Sequence, residues 1–262
     1  MSAFLRRRLR IVLREGGAEV AGYAHFWARQ AYAQELLPGR AMQSGEASWA
    51  AGLGALAEWL GTRERLQGAV LDIIVDDSLV RYTLVPWQRE LRRRTERMAL
   101  ARACFENAYG DAMQPWDIRI DAVAGNRPAI ACAIEHALVT AVKRLCAENK
   151  VKLHALQPAF VLKLNSTREA MSTDDIVVLA VDERTIAGAC QMAGCWSSVW
   201  SRRLPTTHAD SMSSDCWPTQ LHRECLLRGY SESIPVVLLR NDAVEVLPSF
   251  QSLLDIERGN AH

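Results

Sequence analysis

Three sets of residues in this chain have types and spacings that could do chemistry. The first is the turn Glu15-Gly16-Gly17 inside RLRIVLREGGAEVAGY, residues 8–23. Two short apolar-alternating runs flank it. A glycine turn after a strand is how bare backbone N–H groups cradle a phosphate. Gly-Gly is also ordinary hairpin chemistry, so the residue types leave both roles open. The second set is Cys190, Cys195, Cys216, His222 and Cys225. Structural zinc takes close cysteine or histidine pairs. Cys190 and Cys195 have four residues between them, and His222 and Cys225 have two. Cys190 and Cys195 fall on strands beside a turn, and Cys225 on the apolar face of a helix, where buried structural thiols are the plainer reading. The third set is the carboxylate pairs Asp76-Asp77 and Asp174-Asp175, both read as solvated turn acids. Nucleophilic catalysis has little support. No serine sits in Gly-x-Ser-x-Gly, Cys104 lies inside a helical pattern, and His136 and His154 stand alone in structural roles.

Composition bounds what can surround these residues. A chain of 262 residues, 49% hydrophobic and 23% charged, buries a sizeable core as one large domain or two small ones. Formal net charge is +1, so no global field draws it onto nucleic acid or an anionic membrane. Arg6, Arg7, Arg8 and Arg10 are the local exception and read as a solvated edge. No apolar run approaches the roughly 18 residues that span a bilayer, so direct membrane insertion is not expected. The N-terminus lacks the apolar stretch of a signal peptide. Seven cysteines, an odd number without framework spacing, fit reduced thiols in a cytoplasmic protein.

The elements that must position these residues follow from periodicity. Residues 32–37 read as a third strand, ended by Pro38-Gly39. Ser44 or Ser48 is a candidate cap for a helix from Trp49 to Gly61, with Trp49, Leu53, Leu56, Trp59 and Leu60 at helical spacing. AVLDIIVDDSLVRYTLVPW, residues 69–87, reads as a second hairpin turning at Asp76-Asp77-Ser78 and closed by Pro86. Residues 91–108 read as a helix with Arg92, Arg93, Arg94 and Arg97 facing water, and 116–124 as a strand. Pro128 opens one long helix to about Asn149; a strand at 152–156 and a helix near Asn165 follow. The polar stretch 166–174 is the main boundary. Beyond it, 175–204 reads as three strands, 217–229 as a helix, 235–240 and 245–247 as strands, and 248–256 as a closing helix. Trp196 and Trp200, four apart, are placed on one strand face, and Trp87 at a strand exit. The two parts share an order of elements without sharing amino acids, as a duplicated α/β unit would.

This order, with a strand pair ending in Pro86 at residues 70–86, resembles the actin-fold proteins of type IV pilus and type II secretion systems, the PilM and GspL kind. The resemblance implies an α/β, actin-like, RNase H-like duplicated fold with a reduced second half. It places the first half at 1–170, with an inserted subdomain around 68–125, and the shortened second half at 171–262.

An actin-like ATPase carries an acid, a glycine and small hydroxyl residues in its first hairpin. Here Arg14-Glu15 precedes Gly16-Gly17 and no serine or threonine follows. The second such turn falls at Asp182, where Glu183 stands in place of a small residue and would repel a phosphate. The third, a late Gly-Gly, is replaced by Arg240-Asn241. The resemblance therefore implies a pseudo-ATPase with no cofactor, acting as a scaffold that binds the tail of an inner-membrane pilus or secretion protein. By the same resemblance the candidate docking surface includes Val80, Tyr82, Trp87, Arg92 and Arg93. The expected place is the cytoplasm, peripheral at the inner membrane through that partner, and a homodimer is allowed. An active actin-like ATPase and a zinc-stabilised binding module are the competing readings.

Overall fold

The computed structural model describes residues 8–23, 33–41, 44–63, 66–110, 115–121, 126–167, 175–182, 184–204, 216–231, 233–240 and 243–249. The strands are β1 Arg8–Arg14, β2 Gly17–Tyr23, β3 Ala33–Pro38, β4 Val70–Val75, β5 Val80–Val85, β6 Trp116–Ile120, β7 Ala129–Glu135, β8 Lys152–Pro158, β9 Ile176–Val181, β10 Thr185–Met192, β11 Cys195–Arg203, β12 Val236–Arg240 and β13 Ala243–Leu247. The helices are α1 Ala50–Gly61, α2 Arg94–Tyr109, α3 His136–Glu148, α4 Ala159–Ser166 and α5 Cys216–Arg228. Among the described residues no helix is long and apolar enough to cross a membrane.

The chain forms two compact units and passes between them within β5, β6, β7 and α4. The first gathers the described residues of Met1–Val80, Gln114–Asp117 and Ala133–Leu162. Its sheet has the order β3-β2-β1-β4-β8. β1, β2 and β3 pair antiparallel, while β1 with β4 and β4 with β8 pair parallel. β1 alternates as its sequence says, with Leu9, Ile11 and Leu13 buried. β4 is buried on both faces, as a central parallel strand must be.

Three glycines set how this sheet meets α1. A Cβ on Gly52 would lie 2.2 Å from the Arg14 carbonyl oxygen and 2.5 Å from that of Gly17. A Cβ on Gly17 would lie 2.5 Å from the Leu37 oxygen, and one on Gly39 would lie 2.9 Å from the Gly16 oxygen. The Gly39 N–H donates to that same Gly16 oxygen at 2.9 Å. Hairpin turn, end of β3 and first turn of α1 thus meet backbone to backbone. Trp59 is buried nearby, its indole N–H donating to Glu35 Oε2 at 2.7 Å, with the Arg63 guanidinium 4.4 Å above its ring.

The second unit gathers the described residues of Arg81–Met113, Ile118–Cys132 and Lys163–His262. Its larger sheet has the order β11-β10-β9-β12-β13. β9, β10 and β11 pair antiparallel, β9 and β12 parallel, and β12 and β13 antiparallel. Every residue of β9 is buried. Val177, Leu179, Ile186, Trp200, Cys225 and Leu238 are among the residues of one core cluster. Trp200 fills the space over Gly188, where a Cβ would lie 2.6 Å from its ring. A separate three-stranded sheet has the order β5-β7-β6.

Several expectations fail here. Residues 69–87 are no hairpin: β4 lies in the first sheet and β5 in the three-stranded one. Asp76-Asp77-Ser78 does make turn chemistry, a 3-10 turn at Asp77–Leu79 capped by Asp76, but the turn hands the chain to another sheet. Residues 128–149 are no single helix, because Ala129–Glu135 pairs as β7 and α3 begins only at His136. No serine caps α1; its N-cap is Trp49, without a side-chain hydrogen bond. α2 starts at Arg94, three residues later than the apolar pattern. β11 carries one extra residue at Ser197 opposite the Cys190/Gln191 step, which breaks the alternation that would put Trp196 and Trp200 on one face. The closing helix expected over 248–256 lies mostly outside the described residues, and Pro248 and Ser249 are not helical.

Gly52→Ala is expected to destabilise the protein by about 1–3 kcal/mol, because backbone must move to admit the methyl group. Gly54→Ala, two residues on in the same helix with nothing within 4 Å of its Cβ position, is expected to stabilise it by up to about 1 kcal/mol. Urea unfolding of both variants measures the contrast.

Asp72 supplies a second test. It is buried in β4 and hydrogen-bonded to Arg8 Nε at 2.5 Å and to His154 Nδ1 at 2.7 Å. Burial pushes its pKa up, but the bonds from Arg8 and His154 outweigh that and hold it below the usual carboxylate value. A depressed folded-state pKa gives stability that is complete above about pH 4 and lost as pH falls through the folded value. Asp72→Asn is therefore expected to lower stability at pH 7 and to flatten its fall as pH drops below about 4, read by urea titrations on either side of that pH.

Candidate functional site

The phosphate question turns on the end of β1. Arg14 pairs with Gly17 in the hairpin register, leaving Glu15-Gly16 as a two-residue turn. Neither glycine has a positive φ among the described residues, so no left-handed backbone requires them. Space requires Gly17: its missing side chain admits the Leu37 carbonyl, and the same turn receives Gly52 of α1. The Arg14 guanidinium turns along the hairpin to Glu19 Oε2 at 3.2 Å. Glu15 is buried.

The other two expected turns are only partly described. Asp182 closes the β9–β10 connection, its N–H donating to the Thr185 oxygen at 2.9 Å. Arg240 ends β12 opposite Ala243. Glu183 and Asn241 lie outside the described residues.

The acids read as solvated turn residues are in fact buried at Asp76 and Asp77. Asp76 Oδ1 accepts from the Ser78 N–H at 2.9 Å, and its own N–H donates to the Leu13 oxygen at 2.9 Å, tying the ends of β1 and β4. Asp77 Oδ1 accepts from the Phe160 N–H at 3.1 Å, at the start of α4. Both carboxylates hold backbone in place. Asp174 lies outside the described residues; Asp175 accepts from the Ala193 N–H at 2.6 Å.

Among the described residues no three His, Cys, Asp or Glu side chains gather as a metal site. Cys190 and Cys225 are both buried in the second core, Cys195 is half-buried in β11, and His222 is half-buried on α5. Burial pushes the Cys225 thiol up to about 12 and raises that of Cys190, the behaviour of packed thiols rather than of metal-ready thiolates.

The second unit carries an open groove of about 630 Å³. The connection from β5 to α2 forms one side, the first turns of α2 another, and the end of the β6–β7 loop a third. Val85, Leu91 and Leu100 supply its apolar lining, and Trp87, 40% exposed, follows Pro86 at the rim. Arg89, Arg92, Arg97 and Arg127 supply its charge, and among the described residues no acidic side chain lines it. Arg127 donates through Nη1 to the Gly194 oxygen at 3.1 Å, which holds it in place. Tyr109, at the far end of α2, donates its hydroxyl to the Tyr82 oxygen at 2.9 Å and anchors the helix to β5.

Trp87 and Arg92, expected on a docking surface, line this groove, and Arg93 is exposed beside it. Val80 and Tyr82 do not belong to any surface: they are 0% and 2% exposed. On β5 they sit at alternate positions whose side chains face the interior. Sequence reading missed Arg89, Arg97, Asn126 and Arg127. The signal for Arg127 was the strand β7 that follows it, which was read as helix.

No protein-family model matches the chain, and no curated protein matches its sequence. Solved structures do. A protein of Bacteroides thetaiotaomicron with an actin-like ATPase fold and unknown function is 12% identical, with a TM-score of 0.59 over 99% of this chain and 91% of that one. The PilM–PilN type IV pilus biogenesis complex has a chain 13% identical, with a TM-score of 0.58 over 96% of this chain and 86% of that one. The cytoplasmic domain of EpsL, an inner-membrane component of the type II secretion system of Vibrio cholerae, is 11% identical, with a TM-score of 0.54 over 98% of this chain and 96% of that one. The resemblance expected from the order of elements is thus found in space: the chain has the actin-like ATPase fold, and its structural neighbours include proteins of pilus biogenesis and type II secretion.

Proposed function

We propose that this protein is a non-catalytic adaptor in the assembly of a type IV pilus or a type II-like secretion machine. It works in the cytoplasm at the inner membrane, where it holds the cytoplasmic tail of a membrane partner. The observation that carries the reading is a contrast between two places. The turn an actin-like ATPase uses for phosphate is here packed by its own chain at Gly39 and Gly52, with Arg14 and Glu15 where an acid and small residues would stand. The groove at Trp87 is open, charged and, among its described lining residues, without an acid. Likeness to the cytoplasmic domain of EpsL and to PilM supports the choice of machine.

Two measurements test the proposal. A nucleotide at 100 times its Kd would stabilise the fold by about 2.7 kcal/mol. The thermal midpoint is expected to stay unchanged in millimolar Mg·ATP; a rise of several degrees would restore an ATPase reading. Co-expression with the cytoplasmic tails of inner-membrane pilus and secretion proteins is expected to yield a stable complex with one of them, and failure with all would remove the adaptor role.

A further inference from the structure

We propose that the groove beside Trp87 takes an acidic segment of a partner protein, a short extended run of Asp and Glu that also carries a bulky apolar side chain. The adaptor reading supplies whose segment it is; the chemistry of the groove is argued from its own residues.

Charge is the main argument. Between Arg89 and Arg102 the chain has six arginines against two glutamates, in a protein whose net charge is only +1. Four arginines, Arg89, Arg92, Arg97 and Arg127, line one concavity, with no carboxylate among its described lining residues. None of the four forms an ion pair among the described residues; Arg127 donates to the Gly194 carbonyl. Like charges gathered in this way repel one another and add nothing to the stability of the free protein. They are matched by a ligand that brings carboxylates, because guanidinium and carboxylate make paired, charge-assisted hydrogen bonds of fixed geometry.

Shape selects among anionic ligands. A flat lipid surface reaches protruding cations, whereas these line a hollow of about 630 Å³, within the size range that encloses a ligand. A nucleic acid strand would need a row of aromatic platforms for its bases, and Trp87 is the one aromatic residue among the described residues of the lining. One exposed tryptophan with Leu91 and Leu100 beside it suits a single apolar anchor among acids. Arg127 is held by the Gly194 carbonyl and so is presented to a ligand with less ordering to do.

Fluorescence anisotropy with the full chain tests this. The probe is a fluorescein-labelled eight-residue peptide alternating Glu and Leu; the control carries Lys for each Glu. The acidic peptide is expected to bind and the lysine peptide not to. Arg92→Glu and Arg89→Glu, both at exposed positions, are each expected to weaken binding about tenfold or more. Trp87→Ala is expected to weaken it without changing its salt dependence. Equal binding of the two peptides, or unchanged binding by both arginine variants at an unchanged thermal midpoint, overturns the proposal. So does binding of phosphatidylglycerol vesicles in place of the acidic peptide, since that assigns the arginines to a membrane. Arginine-dependent peptide binding without any copurifying inner-membrane tail keeps the groove and removes the adaptor role. A tail complex that survives Arg92→Glu and Arg89→Glu keeps the adaptor role and removes this assignment.

Discussion

At the start of α1 the first unit allows main chain to touch main chain, and much of its geometry follows from that contact. With a Cβ on Gly52 2.2 Å from the Arg14 oxygen, no other residue fits there unless the helix lifts off the hairpin. Gly17 and Gly39 close the same contact from the sheet side. The glycines are demanded by space rather than by backbone conformation, since neither Gly17, Gly39 nor Gly52 has a positive φ. Glycine in a helix interior costs about 1 kcal/mol against alanine, and here that cost is offset by a close approach that fixes where α1 crosses the sheet. Gly17 of the hairpin is thereby accounted for without a ligand, while Arg14 folds back to Glu19.

The two sheets repeat one plan with different endings. In each, a three-stranded antiparallel run leads through a helix to a strand parallel to the first, β4 beside β1 and β12 beside β9. The first sheet then adds the parallel β8 by way of α3; the second adds the antiparallel β13 directly. A parallel addition needs a crossover and an antiparallel one needs only a turn, which is how the second half stays short. Each half also contains one buried acid between two basic side chains: Asp72 between Arg8 and His154, and Glu224 between Arg202 and Arg228. Such clusters contribute little net stability against apolar replacements, but they penalise any packing that separates the partners.

What the sequence made legible was local pattern. The hairpin β1–β2, the three strands β9 to β11 and the hairpin β12–β13 follow alternation or short apolar runs bounded by turn residues, and the order of elements was enough to point to the fold. The failures arise where local chemistry is the same for two outcomes. Asp76 caps its turn just as a hairpin turn would, yet the strands on either side join different sheets. The stretch AIACAIE is rich in alanine and runs into α3 with no intervening breaker, so helix propensity hid β7. Losing β7 also lost the loop that brings Arg127 to the groove. The bulge at Ser197 has no glycine to announce it. Val80 and Tyr82 share β5 with outward positions, and choosing between the faces of a strand needs the neighbouring strand as well.

The arginine groove is hard to explain as a device of stability. α2 buries only Ala101 and Phe105 of its sixteen residues. It is held at its C-terminal end, where Phe105 is fully buried and the Tyr109 hydroxyl donates to the Tyr82 oxygen, the two rings stacking within the helix with centroids 6.1 Å apart. Its N-terminal half carries most of the basic residues and buries only the small side chain of Ala101. Glu96 caps the helix start, accepting from the Arg93 N–H at 3.0 Å, and is not among the residues that line the groove. A helix anchored at one end by the burial of Phe105 and the Tyr109 hydrogen bond, and charged at the other, has its stabilising and its exposed chemistry largely on separate turns. Substitutions among the arginines can then change what the groove attracts while the contacts that hold α2 to β5 stay as they are, and that separation is what a recognition surface on a fixed scaffold requires.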